Sequence, residues 1–268
     1  MDNRPIGVFD SGLGGLTVVK SIIEALPNEN IVYFGDTGRV PYGNRSKETL
    51  LQYVKQDMEL LISRSVKAVV IACNTADSMA RKEMTQLFSL PIIGVVSPAG
   101  KKAAAVTKNK KVGVIATAAT VASRAYEQVI NSADEQVRVF AKACPLLVPL
   151  VEEGRIKRGD IVTETVLREY LEPLKNEGID TLILGCTHYP LLFDIISDIL
   201  PGAELICSGF ASTEELIGTL KDNDLLNASD EKGKIEFFVS DSPEKFALNG
   251  SLFIGQGIID KVEKVTFE

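Results

Sequence analysis

Two cysteines have the type and setting for chemistry. Cys73 follows an aliphatic run in Val-Val-Ile-Ala-Cys-Asn-Thr-Ala, and Cys186 does the same in Leu-Ile-Leu-Gly-Cys-Thr-His-Tyr-Pro. Such a run reads as a buried parallel strand, and the small polar residue after it reads as the cap of the next helix. Each thiol is therefore expected at the carboxyl end of a strand. Open α/β sheets bind ligands there, and a helix amino terminus at that point favours thiolate over thiol. Free cysteine is also among the most buried residue types, and a plain core role suits Cys144 and Cys207. The repeated context is what sets Cys73 and Cys186 apart. Four cysteines without a dense framework fit a reducing compartment rather than a structural disulfide. No metal site is expected, because His188 is the single histidine and there is no Cys-x-x-Cys pair.

The elements that must hold these thiols follow from the alternation of short apolar runs with longer amphipathic segments. Strands are expected at 6–9, 31–34, 68–72, 92–96, 112–115, 137–141, 181–184, 203–206 and 235–239. Between them lie helical patterns such as 47–64, where Leu50, Leu51, Val54, Met58, Leu61 and Ile62 share a face. Strands separated by helices imply an α/β fold with mainly parallel sheets flanked by helices.

The pattern also echoes itself. Ile6-Gly7-Val8-Phe9-Asp10 resembles Val112-Gly113-Val114-Ile115-Ala116 at an offset of 106 residues, and the two cysteines are 113 apart. Nearly equal offsets imply two pseudo-symmetric lobes, 1–97 plus 210–268 and 98–209, with the site in the cleft between them. The tail is expected to carry a helix at 212–221, a strand at 235–239 and a final helix at 256–262, and to return to the first lobe.

Composition narrows the partners. A chain of 268 residues, 45% apolar, is long enough for one large domain or two ordinary ones. A net charge of −7, from 29 basic and 36 acidic residues, argues against nucleic acid or an anionic membrane as partner. The lysines between 101 and 111 are interrupted by Ala-Ala-Ala-Val and read as a solvated helix and turn. The start, Met-Asp-Asn-Arg-Pro, lacks a signal-peptide core, and no run of about 18 apolar residues could span a bilayer. A cytoplasmic protein is expected. With five residues before the first strand, no extended regulatory segment is expected there.

Two loops complete the list of candidates. Asp10-Ser11-Gly12-Leu13-Gly14-Gly15-Leu16-Thr17 lies between a strand and a helix, the usual place for a phosphate loop. Its glycines are not spaced as Gly-x-Gly-x-x-Gly, and Asp10 would repel a pyrophosphate, so a carboxylate or ammonium ligand suits it better. The segment Gly35-Asp36-Thr37-Gly38-Arg39-Val40-Pro41-Tyr42-Gly43 reads either as ordinary turn chemistry or as a loop covering the substrate.

Taken together, these motifs closely resemble the glutamate racemase family. The resemblance rests on Asp10-Ser11-Gly12-Leu13-Gly14-Gly15, Pro41-Tyr42-Gly43, Cys73-Asn74-Thr75-Ala76 and Gly185-Cys186-Thr187-His188-Tyr189-Pro190. It extends in order through Val95-Val96-Ser97-Pro98-Ala99, Ala116-Thr117-Ala118-Ala119-Thr120 and Cys144-Pro145-Leu146-Leu147-Val148-Pro149-Leu150-Val151-Glu152. It implies an isomerase that interconverts L- and D-glutamate without a cofactor and supplies D-glutamate for peptidoglycan in cell-wall biogenesis. Inversion without a cofactor needs a base on one face of the α-carbon and an acid on the other. A thiol, with a free pKa of about 8.5, can serve as either.

By matched position the resemblance implies that Cys73 deprotonates D-glutamate and Cys186 L-glutamate, assisted by Asp10 and His188. Glu152 matches an acidic position of the family, and the adjacent Glu153 leaves two candidates. Ser11, Tyr42, Gly43, Asn74, Thr75, Thr117, Thr120 and Thr187, with Asp10, are the implied substrate-binding residues. A homodimer is the assembly implied. Cys207 departs from the aspartate usual before the serine of that segment. The competing readings are an aspartate racemase of the same two-cysteine plan, whose substrate is one methylene shorter, and a non-catalytic two-lobed amino-acid-binding protein.

Overall fold

The computed structural model describes residues 2–255, 259 and 261–267. Its strands are β1 (Ile6–Asp10), β2 (Ile31–Gly35), β3 (Ala68–Ile71), β4 (Ile92–Gly94), β5 (Lys111–Ala116), β6 (Arg138–Ala143), β7 (Thr181–Gly185), β8 (Glu204–Cys207), β9 (Ile235–Val239) and β10 (Val262–Lys264). They form two parallel sheets, one of order β10-β9-β2-β1-β3-β4 and one of order β6-β5-β7-β8. The run β2-β1-β3-β4 has the same order as β6-β5-β7-β8. The internal echo is thus a repeated topology, with Cys73 just after β3 and Cys186 just after β7.

Burial explains why the strands read as continuous apolar runs. Along β1, Ile6 and Val8 enter one core while Phe9 enters the other, and along β3 Ala68 and Val70 oppose Val69 and Ile71. A parallel sheet covered on both faces needs apolar side chains at every position. The first core joins the two sheets, through the Leu16–Ala25 and Val96–Val106 helices among others. The second lies under the Lys47–Ser63 and Asn74–Leu87 helices.

Local chemistry fixes the helix starts near the site. Ser46 caps the Lys47–Ser63 helix by accepting from the Thr49 amide at 3.3 Å, and Thr117 caps the Ala118–Ser123 helix by accepting from the Thr120 amide at 3.3 Å. Cys73 occupies the N-cap of the Asn74–Leu87 helix without spending its thiol on capping. Cys186 is followed by a 3-10 turn, Tyr189–Leu192, and only then by the Phe193–Ile199 helix.

The tail differs most from expectation. Its first helix runs Ser208–Asp222, and a helix not anticipated spans Pro243–Ile254, with proline at its first position, a start that fixed φ makes favourable. The helix expected at 256–262 falls largely outside the described residues, and Val262 begins β10 instead. Three residues that add to a sheet edge are too few for any periodicity to announce them. β9 pairs with β2 and β10 with β9, so the tail widens the first sheet.

Candidate active site

Thirteen residues from loops after β1, β2, β3, β5 and β7, and two from the Leu147–Glu152 helix, line one cavity of about 70 Å³ between the carboxyl ends of the sheets. Both cysteines face it. Ser11, Tyr42, Gly43, Asn74 and Thr75 join Cys73 from the first half of the chain. Thr117, Glu152, Thr187 and His188 join Cys186 from the second. Asp10 and Thr120 do not line the cavity but bond to residues that do. Gly12, Val40, Pro41 and Val148 complete the wall, and apolar side chains such as Val148 carry no chemical signal that a sequence could expose.

The two thiols have opposite neighbours. Cys73 Sγ lies 3.6 Å from Ser11 Oγ, and burial together with the adjacent Asp10 charge pushes its pKa up to about 12. The helix amino terminus was expected to favour thiolate there, but desolvation outweighs it and Cys73 keeps its proton. Asp10 itself is buried, and desolvation raises its pKa above the usual carboxylate range. Its Oδ2 accepts from the Gly12 amide at 3.0 Å and its Oδ1 from Thr187 Oγ1 at 3.5 Å. That Gly12 amide is therefore not free for a ligand carboxylate.

Cys186 Sγ lies 3.9 Å from His188 Nδ1, and His188 Nε2 lies 3.0 Å from Glu152 Oε1. Glu152 rather than Glu153 thus reaches the imidazole. Burial opposes a charge on His188, yet its hydrogen bonds to Cys186 and Glu152 and the charges of Cys186 and Asp10 outweigh it, raising the pKa to about 10. An imidazolium raised from its ordinary 6.5 stabilises the fold fully below about pH 6.5, and that contribution is lost as pH climbs towards about 10. Denaturant unfolding of wild type and His188→Gln across this range is expected to show the wild-type advantage shrinking with rising pH. An advantage that grows with pH would contradict the ion pair.

Hydroxyl and amide groups tie the halves together beside the thiols. Thr75 Oγ1 is 3.0 Å from Thr117 Oγ1, which is 3.0 Å from Thr120 Oγ1. Thr17 Oγ1 donates to the Thr187 carbonyl at 2.9 Å. Asn74 is held by Tyr126 Oη, which donates to Oδ1 at 2.5 Å, and by Ser208 Oγ, which accepts from Nδ2 at 3.4 Å. Tyr126 and Ser208 escaped sequence reasoning because they lie 52 and 134 residues away from Asn74. Cys207 stands away from this cavity, lining a groove with Phe210 and Leu252.

The profile of the Asp/Glu/Hydantoin racemase family matches residues 8–216. The chain belongs to this family. A curated relative, the glutamate racemase of Neisseria meningitidis, is 45% identical over 98% of this chain and 97% of its own length. The crystal structure of Francisella tularensis glutamate racemase in complex with D-glutamate superposes with a TM-score of 0.91 at 37% identity, covering 100% of this chain and 98% of that one. The aspartate racemase of Picrophilus torridus shares the fold at 19% identity, with a TM-score of 0.56 over 81% of this chain and 94% of that one. As a member of the racemase family, the chain is an isomerase acting on amino acids.

Proposed function

We propose that this racemase interconverts L- and D-glutamate by two-base chemistry without a cofactor. Cys73 takes the α-proton of D-glutamate, Cys186 takes that of L-glutamate, and the thiol opposite delivers a proton to the other face. The observation that carries this reading is that a cysteine from each half borders one cavity, with an anionic neighbour at Cys73 and a cationic one at Cys186. A thiol at Cys73 is ready to act as acid when Cys186 acts as base. Glu152 orients His188, and His188 and Asp10 assist proton transfer at their cysteines.

Substrate carboxylates and the amino group are held by Ser11, Asn74, Thr75, Thr117 and Thr187 with the Tyr42–Gly43 backbone, while Thr120 supports Thr75 and Thr117. None of these is an arginine. Many neutral donors around a small cavity spread the charge of the carbanion without neutralising the carboxylates in advance. Close relatives named glutamate racemase support glutamate over aspartate as substrate. The same reading makes the chain a cytoplasmic homodimer that supplies D-glutamate to peptidoglycan synthesis. Exposed Phe210 and Leu252 offer apolar surface for a second copy, and no helix among the described residues is long and apolar enough to cross a membrane.

The test is incubation with L-glutamate or L-aspartate in D2O, followed by circular dichroism and α-deuterium incorporation. Glutamate is expected to lose optical activity and gain deuterium, with aspartate slower by about 10- to 200-fold, the range one methylene supplies. Turnover of aspartate alone would overturn the assignment, and exchange with neither would leave an amino-acid-binding protein.

A further inference from the structure

Behind the cavity wall, four side chains that the proposed chemistry does not use form a buried charged cluster. Asp36, at the start of the loop after β2, and Asp57, on the Lys47–Ser63 helix, are both fully buried. Tyr42, which lines the cavity, sets its hydroxyl between them, 2.5 Å from Asp36 Oδ2 and 2.8 Å from Asp57 Oδ2. Arg39 closes the cluster from Nε to Asp36 Oδ2 at 2.6 Å and from Nη2 to Asp57 Oδ1 at 2.7 Å. Its guanidinium lies 4.3 Å from the Tyr53 ring centroid and 4.2 Å from that of Phe267.

The hydrogens can be counted. A tyrosine hydroxyl has one proton to donate, so it cannot satisfy two ionised carboxylates at once. Asp36 already accepts from Arg39 on Oδ2 and from Ser240 Oγ on Oδ1 at 2.8 Å, the pattern of an ionised group. Among the described residues Asp57 accepts on Oδ1 from Arg39, and its Oδ2 faces the tyrosine oxygen alone. Two buried carboxylates against one guanidinium would also leave a net negative charge out of water, a costly arrangement. One added proton removes both conflicts.

We propose that Asp57 is a neutral carboxylic acid whose O–H donates to Tyr42 Oη, which donates in turn to ionised Asp36, and that this relay positions the Tyr42–Gly43 backbone in the cavity wall. Burial and the nearby Asp36 charge, which hold Asp57 well above the usual carboxylate range, agree with it. The relay also reaches the thiol side of the site, because the Asp36 amide donates to the Asp10 carbonyl at 2.9 Å. Asp57, Asp36, Tyr42 and Arg39 are then positioning residues, and their effect on substrate rests on the glutamate racemase reading above.

The test contrasts Asp57→Asn with Asp57→Ala and Asp36→Asn. An asparagine at 57 reproduces a protonated aspartate, with an N–H for Tyr42 and a carbonyl for Arg39, so KM and kcat for L-glutamate are expected to stay within about twofold of wild type. At 36 the same change removes the charge that pairs with Arg39 and takes the Tyr42 proton, and KM is expected to rise about tenfold or more with a smaller change in kcat. Asp57→Ala is expected to resemble Asp36→Asn in KM. Infrared difference spectra of wild type against Asp57→Asn at neutral pH are expected to show a carboxylic-acid C=O band assigned to Asp57. That band does not depend on turnover, so its presence with no glutamate exchange in wild type would sink the racemase reading and leave the protonated Asp57 standing. No such band, or an Asp57→Asn variant as impaired as Asp57→Ala, would overturn the proposal.

Discussion

Cys73→Ser is expected to lower glutamate racemisation by about 10²- to 10⁴-fold in both directions, and Cys186→Ser to do the same, the range a positioned acid or base contributes. Serine keeps a small hydroxyl of similar shape, so packing is nearly conserved while a group able to take and return a proton near neutral pH is lost. A single base could reprotonate only the face it had deprotonated. Residual α-deuterium exchange is therefore expected from one enantiomer in each variant, L-glutamate in Cys73→Ser and D-glutamate in Cys186→Ser, without inversion. Chiral chromatography of the products with mass analysis of the α-position reads both quantities together. Wild-type racemisation in either variant would eliminate the two-base mechanism. The setting of the two thiols makes the losses informative, because Cys73 borders buried Asp10 and Cys186 borders the His188–Glu152 pair.

Gly14→Ala is expected to lower kcat/KM by about 10²-fold, as misplacement of reacting groups by about an ångström does. The loop before the Leu16–Ala25 helix crosses against the second half of the chain at this residue. A methyl group there would fall 2.5 Å from His188 Nδ1 and closer still to Thr187 Oγ1. Neither neighbour can retreat freely. Thr187 is anchored through its carbonyl by Thr17, and His188 is held by Glu152 on one side and packs edge-on against the Phe253 ring at 5.3 Å on another. Overpacking of this kind costs about 1–3 kcal/mol of stability, so a folded variant with impaired kinetics is expected. Kinetics at saturating and limiting substrate beside a thermal melt separate the two effects, and a stable variant with wild-type kinetics would show that the close approach does not matter.

Every strand but β10 was legible to within two residues, most of them because a parallel strand buried on both faces must be apolar throughout. The end of β4 is hidden for the same reason, since Val95 and Val96 are equally apolar yet Val96 begins a helix. Asp57 left a faint signal, a charged residue inside the apolar stripe of Val54, Met58 and Leu61, and its meaning depends on Tyr42 and Asp36 from another loop. The choice between Glu152 and Glu153 was beyond the sequence, because neighbouring residues on a helix point about 100° apart and only the position of His188 selects one.

The polar groups around the thiols were implied by the resemblance to the glutamate racemase family, whereas the sequence by itself determined the α/β alternation and the paired settings of Cys73 and Cys186. These are local properties, written in hydrophobic periodicity and in the residues that follow each strand. The tertiary structure alone decided that Cys73 keeps its proton, that Tyr42 sets its hydroxyl between Asp36 and Asp57, and that Asp10 stands one layer behind the surface. Such outcomes depend on desolvation and on partners distant in the chain, as when Thr17 meets Thr187 across 170 residues, and a protonation state is set only once those partners are in place.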